Sequence, residues 1–225
     1  MSVKKITEQP LSIHYRVGVG EPPDTRRARP VRAQPDRRQE LLEVASDLFS
    51  QRGYEGTSLR QIADRMGFSV AALYYYFEAK SELLSLLAQP YLDELEAVIA
   101  AAEDQGSLDA RQGRKTLDRY LDLLLVNPKL TQFLEQDVAV QARPEGIRLD
   151  GLTERLRTSL AGPNPQPSDL VRASAALGAL RRPVLRLGHL DLVALRDQIL
   201  DQAVKLLYPR ARPRAGGTQQ RGSKP

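Results

Sequence analysis

The chain of 225 residues has no cysteine and only two histidines, His14 and His189. Without cysteine there is no disulfide framework, no thiolate metal site and no cysteine nucleophile. Two isolated histidines do not make a histidine-rich metal centre. No apolar run approaches the ~20 residues that a bilayer-spanning helix needs. Met1 to Gln9 is mostly polar and lacks the apolar core of a secretory signal. There is no Ser/His/Asp set, and Gly18-Val19-Gly20 is too short for a phosphate loop, with no strand or helix beside it. No internal repeat appears, and no segment alternates convincingly as a strand. These absences predict an all-α, cytoplasmic protein that is not an enzyme and needs neither metal nor cofactor.

What charge there is lies in the wrong place for a simple argument. The net charge is +5, but residues 1–35 carry seven Lys/Arg against three Asp/Glu, and residues 209–225 carry five against none. The two ends therefore hold +4 and +5, and the interior is net −4. A high pI is then no evidence for a nucleic-acid-binding core, which would have to work with a few placed cations. Both ends are rich in proline, glycine and arginine without a sustained period, and they read as disordered tails. Loose attraction to DNA phosphates is their functional reading. A solvated leader without a role is the alternative.

The informative stretch is Thr57 to Phe77. Ser58 and Gln61 have the spacing of a capping box. Leu59, Ile62, Ala63 and Met66 fall at i, i+3, i+4 and i+7, giving one apolar face. Gly67 can take the positive φ that ends a helix, and Ser69 can cap the next one. Leu73 and Phe77 then pack back on the first helix. This is the pattern of a helix-turn-helix, whose second helix can enter a DNA major groove. A plain αα corner without a ligand has the same spacing. A preceding helix, from Asp36 to about Arg52, buries Leu41, Leu42, Ala45, Leu48 and Phe49. It completes a trihelical unit over 36–80.

Residues 81–208 read as a larger helical domain. Its helices are expected from Lys80-Ser81 to about Asp104, from Leu108 to Val126, from Asn127-Pro128 to about Gln141, and from Pro144 to Leu160. Two more follow: one capped by Ser168 and kinked or ended by Pro183, and one over about Asp191 to Leu207. The last carries two apolar stripes, Leu192, Leu195, Ile199, Ala203 and Leu206, and Val193, Leu200, Val204 and Leu207. A helix apolar on two sides must bury both. One copy of the helix pairing with another, together with the helix from Ser168, makes a four-helix homodimer interface from Leu177, Leu180, Leu192, Leu195, Ile199 and Leu206. A central helix buried within one subunit is the other solution. A dimer would read a pseudo-palindromic DNA site, which one small head cannot do with useful specificity.

Residues Arg37 to Leu87 resemble the N-terminal domain of TetR/AcrR-type transcriptional regulators. The matching elements are Ala45…Leu48-Phe49, Gly53-Tyr54-Glu55-Gly56-Thr57-Ser58, Ile62-Ala63…Gly67 and Leu73-Tyr74-Tyr75-Tyr76-Phe77…Lys80…Leu83-Leu84. The resemblance implies DNA contacts at Thr57, Arg60, Ser69, Val70, Ala71, Ala72, Tyr74, Tyr75, Tyr76 and Lys80. Arg60 suits the N7/O6 edge of guanine. Tyr74 and Tyr75 lie where the backbone is met, and Lys80 with free N–H groups could hold a phosphate. Tyr76 stands where histidine is common. Val70, Ala71 and Ala72 can touch thymine methyls but make no bidentate base contact.

The resemblance also implies that the larger domain senses an unknown small molecule. Tyr91, Tyr120, Gln132, Gln136, Asp137 and Gln141 are candidates to orient it. The function so implied is a dimeric, sequence-specific DNA-binding regulator, a repressor released by its ligand. A helical small-molecule or partner-binding protein without specific DNA binding is the alternative.

Overall fold

The computed structural model describes residues 34–209, with side chains from Arg37 onward. Apart from Gln34, Pro35 and Pro209, the tails expected at 1–35 and 209–225 lie outside the described residues. Among the described residues there are ten helices and no strand.

The head is α1 (Gln34–Arg52), α2 (Leu59–Met66) and α3 (Val70–Tyr74). Helix α1 starts two residues before the expected Asp36, because Pro35 in a first turn gives up an N–H that had no partner there. Leu41, Ala45 and Phe49 are fully buried against Ile62, Ala63, Leu73 and Phe77. The local signals act as the sequence implies. Ser58 Oγ accepts the Gln61 N–H at 3.2 Å while Gln61 Oε1 accepts the Ser58 N–H at 2.8 Å. Gly67 has φ 69°, and the next N–H, of Phe68, reaches back to the Ala63 carbonyl at 2.8 Å. Ser69 Oγ accepts the Ala72 N–H at 3.1 Å.

The body is α4 (Lys80–Glu103), α5 (Ala110–Val126), α6 (Pro128–Gln136), α7 (Val138–Gln141), α8 (Pro144–Ala161), α9 (Pro167–Arg186) and α10 (Arg196–Leu207). One continuous core joins it to the head. Helix α10 is held close to α5 by Arg196, which donates to Asp118 at 2.8 Å and to Asp122 at 2.6 Å. Tyr208 lies so near Gly113 that a Cβ there would fall 2.0 Å from the Tyr208 hydroxyl and would displace its ring.

Four expectations about the body are corrected. The helix expected over Asn127 to Gln141 breaks at Asp137, which is extended (φ −77°, ψ 110°) and uses its carboxylate elsewhere. The helix expected to be capped by Ser168 begins at Pro167, and Asp169 Oδ2 accepts the Gln166 N–H at 2.8 Å. It does not end at Pro183 but continues to Arg186, and the Leu187 N–H donates to the Pro183 carbonyl at 2.8 Å. The last helix starts at Arg196 rather than Asp191, since Asp191 Oδ1 accepts the Ala194 N–H at 3.0 Å and makes a separate turn.

The interface set is corrected too. Leu177, Leu180 and Leu192 are buried inside the subunit and cannot face a partner. The outward stripe on α10 is Leu195, Ile199, Gln202 and Leu206, and that on α9 is Val171, Ala175, Gly178 and Arg182. Val193 is exposed, whereas Leu200, Ala203 and Leu207 face the core.

Candidate functional site

The α2–turn–α3 unit presents a small, sparsely charged surface. Arg60 leaves the first turn of α2 with its side chain 82% exposed, its nearest anion being Asp64 at 4.0 Å. Tyr74 and Tyr75 are exposed, and Tyr75 meets Tyr76 edge-on at 5.3 Å. Tyr76 is half-buried against the core. Ala71 is exposed, Ala72 is half-buried and Val70 packs partly on the core. Ser69 is exposed; its oxygen caps α3, and its O–H remains a donor. Arg37, near the start of α1, lies over the Phe68 ring at 5.5 Å and adds a cation beside the turn.

Two residues assigned DNA contacts are committed inward instead. The Thr57 hydroxyl is buried and lies 2.9 Å from the Gly53 carbonyl and 3.2 Å from that of Leu48, so its side chain does not reach a phosphate. Lys80 Nζ donates to the Tyr54 carbonyl at 2.9 Å and the Thr57 carbonyl at 3.0 Å, and lies 3.7 Å from Glu55. Its ammonium closes the α1–α2 loop. An ammonium has three protons, and two are occupied by these carbonyls.

The α1–α2 loop is also where head and body are fastened, which the sequence reading missed. Lys80 and Arg143 lie on the Tyr54 ring, each 4.1 Å from its centroid. The Tyr54 N–H donates to Asp137 Oδ2 at 2.7 Å, and Asp137 Oδ1 accepts the Ala139 N–H at 2.9 Å. Arg143 also donates to Glu55 at 3.3 Å, and Phe133 stacks on Phe49 at 5.5 Å. Tyr54 thus has its ring, N–H and carbonyl engaged at once by Lys80, Arg143 and Asp137, all three from outside the loop. The glycines on either side of Tyr54-Glu55 marked a special loop but not its partners.

Of the ligand candidates, Gln132 and Gln136 donate to the Leu185 carbonyl at 3.2 and 3.4 Å, and Gln141 donates to the Glu135 carbonyl at 2.6 Å. These glutamines tie α6 to α9 and close its end. With Asp137 engaged at Tyr54, Tyr91 and Tyr120 are left. Tyr91 lines a cleft of about 390 Å³ between α4, α5 and α6. Behind it lie the buried Tyr120 and an unanticipated pair, Glu135 on α6 and Arg181 on α9, joined through Glu135 Oε2 at 2.8 and 2.5 Å. The Arg181 guanidinium turns inward to Glu135. Burial pushes the Glu135 carboxyl up from its ordinary value, against the pull of Arg181. Burial also raises both phenols, which stay protonated.

Residues 41–87 match the model for bacterial regulatory proteins of the tetR family, which covers α2, α3 and the turn between them. The likeness to that family is carried by this N-terminal segment. It is 34% identical over 79 residues to the HTH-type transcriptional repressor KstR2 of Rhodococcus jostii (strain RHA1), covering 33% of this chain and 39% of that one. It is 32% identical over 89 residues to the HTH-type transcriptional activator FasR of Mycolicibacterium smegmatis, covering 40% of this chain and 41% of that one. The chain thus spans about two fifths of the length of these relatives. In three dimensions it resembles a TetR-like transcriptional regulator from Rhodococcus sp. RHA1, with a TM-score of 0.58 at 25% identity, over 78% of this chain and 96% of that one. The family is one of regulators with an N-terminal helix-turn-helix domain and a helical C-terminal domain. Among the described residues no helix is long and apolar enough to cross a membrane.

Proposed function

We propose that the protein is a dimeric, sequence-specific DNA-binding transcriptional repressor that a small molecule releases, and not an enzyme. Residues 36–80 read DNA; residues 81–208 dimerise and sense the effector. The observation that carries this reading is the capped α2–turn–α3 unit with Arg60, Ser69, Tyr74 and Tyr75 turned outward. Arg60 makes the base contact, and the tyrosines and Ser69 meet the sugar-phosphate backbone. The side chain of Lys80 shapes the loop, while the uncapped start of α4 offers its N–H groups to phosphate. With so few polar atoms on α3, DNA shape supplies part of the selectivity.

Dimerisation uses the outward stripes of α9 and α10, Val171, Ala175 and Gly178 with Ile199 and Leu206. Small residues on α9 let a second copy approach closely, and a twofold gives two heads for a pseudo-palindromic operator. The name of KstR2 supports the repressor reading, and that of FasR, an activator, marks the sign as the element to test.

The experiment is selection of bound duplexes from a random pool with the purified chain, followed by footprinting and salt titration. A recovered inverted repeat, with affinity falling on the log–log salt plot by about 0.9 for each phosphate contacted, is the expected result. Failure to enrich any sequence would overturn the reading in favour of a helical protein without specific DNA binding.

A further inference from the structure

We infer that the cleft between α4, α5 and α6 takes an uncharged, largely apolar molecule ending in an alcohol or amide, received by the Tyr91 hydroxyl. The walls set the apolar body. Leu87, Pro90, Leu123, Val126 and Leu130 line the cleft, and α4 passes Pro90 there without an N–H to give the Leu86 carbonyl.

The charges at the rim are already matched to one another. Glu94 lies 3.6 Å from Arg119, and Asp122 accepts from Arg196 at 2.6 Å. Arg119, the cation among the described residues of its lining, already faces Glu94 and leaves none over for an anionic ligand. Inside, the Tyr91 hydroxyl, the Tyr120 hydroxyl and Glu135 Oε1 are buried and make no well-formed hydrogen bond in the protein, although the Thr131 hydroxyl lies close enough to Tyr91 to act on it. Tyr91 is 5% exposed and Tyr120 is 0% exposed, and neither can turn to bulk water.

Buried polar groups are ordinarily paired, so three such atoms together point to a polar group that arrives from outside. Two hydroxyls and one carboxylate oxygen are complemented by an end group that both donates and accepts. The Glu135–Arg181 pair is neutral overall, so it selects neither sign. A ligand carboxylate would face Glu135. A ligand ammonium would lose its hydration beside an anion that Arg181 already neutralises. Tyr91 is the residue common to cleft and cluster, which makes it the receiving group.

This inference rests on the effector-sensing reading only for its consequence at DNA, so binding is measured on the protein alone. The purified full chain is titrated calorimetrically and melted with decanol, decanoate and decylammonium. Decanol is expected to raise the midpoint and to bind roughly tenfold tighter than either ion, the worth of one to two buried hydrogen bonds. Tyr91→Phe should remove roughly three- to tenfold of that preference while melting close to the parent, since the hydroxyl it loses makes no well-formed hydrogen bond in the protein. Val126→Trp, at the exposed cleft wall, should block decanol without lowering the midpoint.

Decanoate binding as tightly as decanol, no binding by any probe, or a Tyr91→Phe variant that keeps the full preference would each overturn the inference. The two readings fail separately. Decanol bound as expected but without effect on the selected duplex defeats the effector reading alone. A duplex bound normally while no probe binds defeats the cleft alone.

Discussion

Thr57 and Ser58 in the head, with Lys80 at the first residue of α4, place their polar atoms on the head's backbone, whereas Tyr91, Tyr120 and Glu135 in the body keep buried polar atoms that make no well-formed hydrogen bond in the protein. In the head up to Lys80, the one comparable atom among the described residues is Ser50 Oγ. The DNA-reading role proposed for the head needs a surface that is rigid before it meets the groove, and there internal hydrogen bonds fix the backbone. A site that senses a molecule needs unmet polar groups that the molecule can complete. The two regions thus trade stability for function in different places. They share one core, and at the α1–α2 loop Asp137 of the body holds the backbone of Tyr54.

The sharpest break of this comparison would be to separate the subunits of the proposed dimer while leaving each one folded. Ile199 is half-buried on the outward stripe of α10. Ile199→Glu is expected to give a monomer by sedimentation, with an unchanged helical spectrum. It should lose roughly 10²-fold or more in affinity for an inverted repeat, because the second head no longer binds intramolecularly. A half-site should be bound as before. A variant that stays dimeric would place the interface on another face.

Next in size is the fastening between head and body. Asp137→Ala removes a carboxylate that accepts from Tyr54 and from the first N–H groups of α7. A charged acceptor and a helix cap together imply a loss of about 2–3 kcal/mol in urea unfolding. If the head depends on this hold, DNA affinity should fall as well, and Asp137→Asn should recover part of both. Loss of stability with unchanged DNA affinity would show two independent regions.

Much of the head was legible because its determinants are local. Ser58 with Gln61, Gly67 and Ser69 act within a few residues, and the pattern of those residues is the structure. The fastening and the buried cluster were not, because their partners are remote. Tyr54 meets Asp137 across 83 positions, and Arg181 meets Glu135 across 46. An Asp inside a helical period carries no mark that its carboxylate serves another segment. Likewise the apolar period of α9 identified Leu177 and Leu180 as a face to be buried, but periodicity does not say whether a neighbour in the same chain or a second copy covers it.

A smaller pair of changes tests whether the two head cations have opposite duties. Lys80→Ala removes two bonds from a charged donor and a cation over the Tyr54 ring. It is expected to lower stability by about 2 kcal/mol in urea unfolding. Arg60→Ala should change stability by no more than about 0.5 kcal/mol, as for an exposed side chain. It should weaken the cognate duplex by about 1–3 kcal/mol and relax selectivity at one base pair. An Arg60→Ala variant with unchanged selectivity would move base readout to another residue.

The smallest expected effect is the one that most directly tests the contrast with the body. Tyr120 is fully buried and its hydroxyl has no partner in the protein. Replacing it by phenylalanine keeps the ring that packs in the core and removes only the oxygen. A buried polar group without a partner costs about 1–3 kcal/mol, so Tyr120→Phe should raise stability by about 1 kcal/mol. Thr57→Val is the matched change in the head, where the hydroxyl is bonded to the loop carbonyls. It should lower stability by about 1 kcal/mol. Urea denaturation of both variants reads the two signs side by side. If Tyr120→Phe also destabilises, its hydroxyl is held by ordered water or by a movement of Glu135, and the body is internally satisfied like the head.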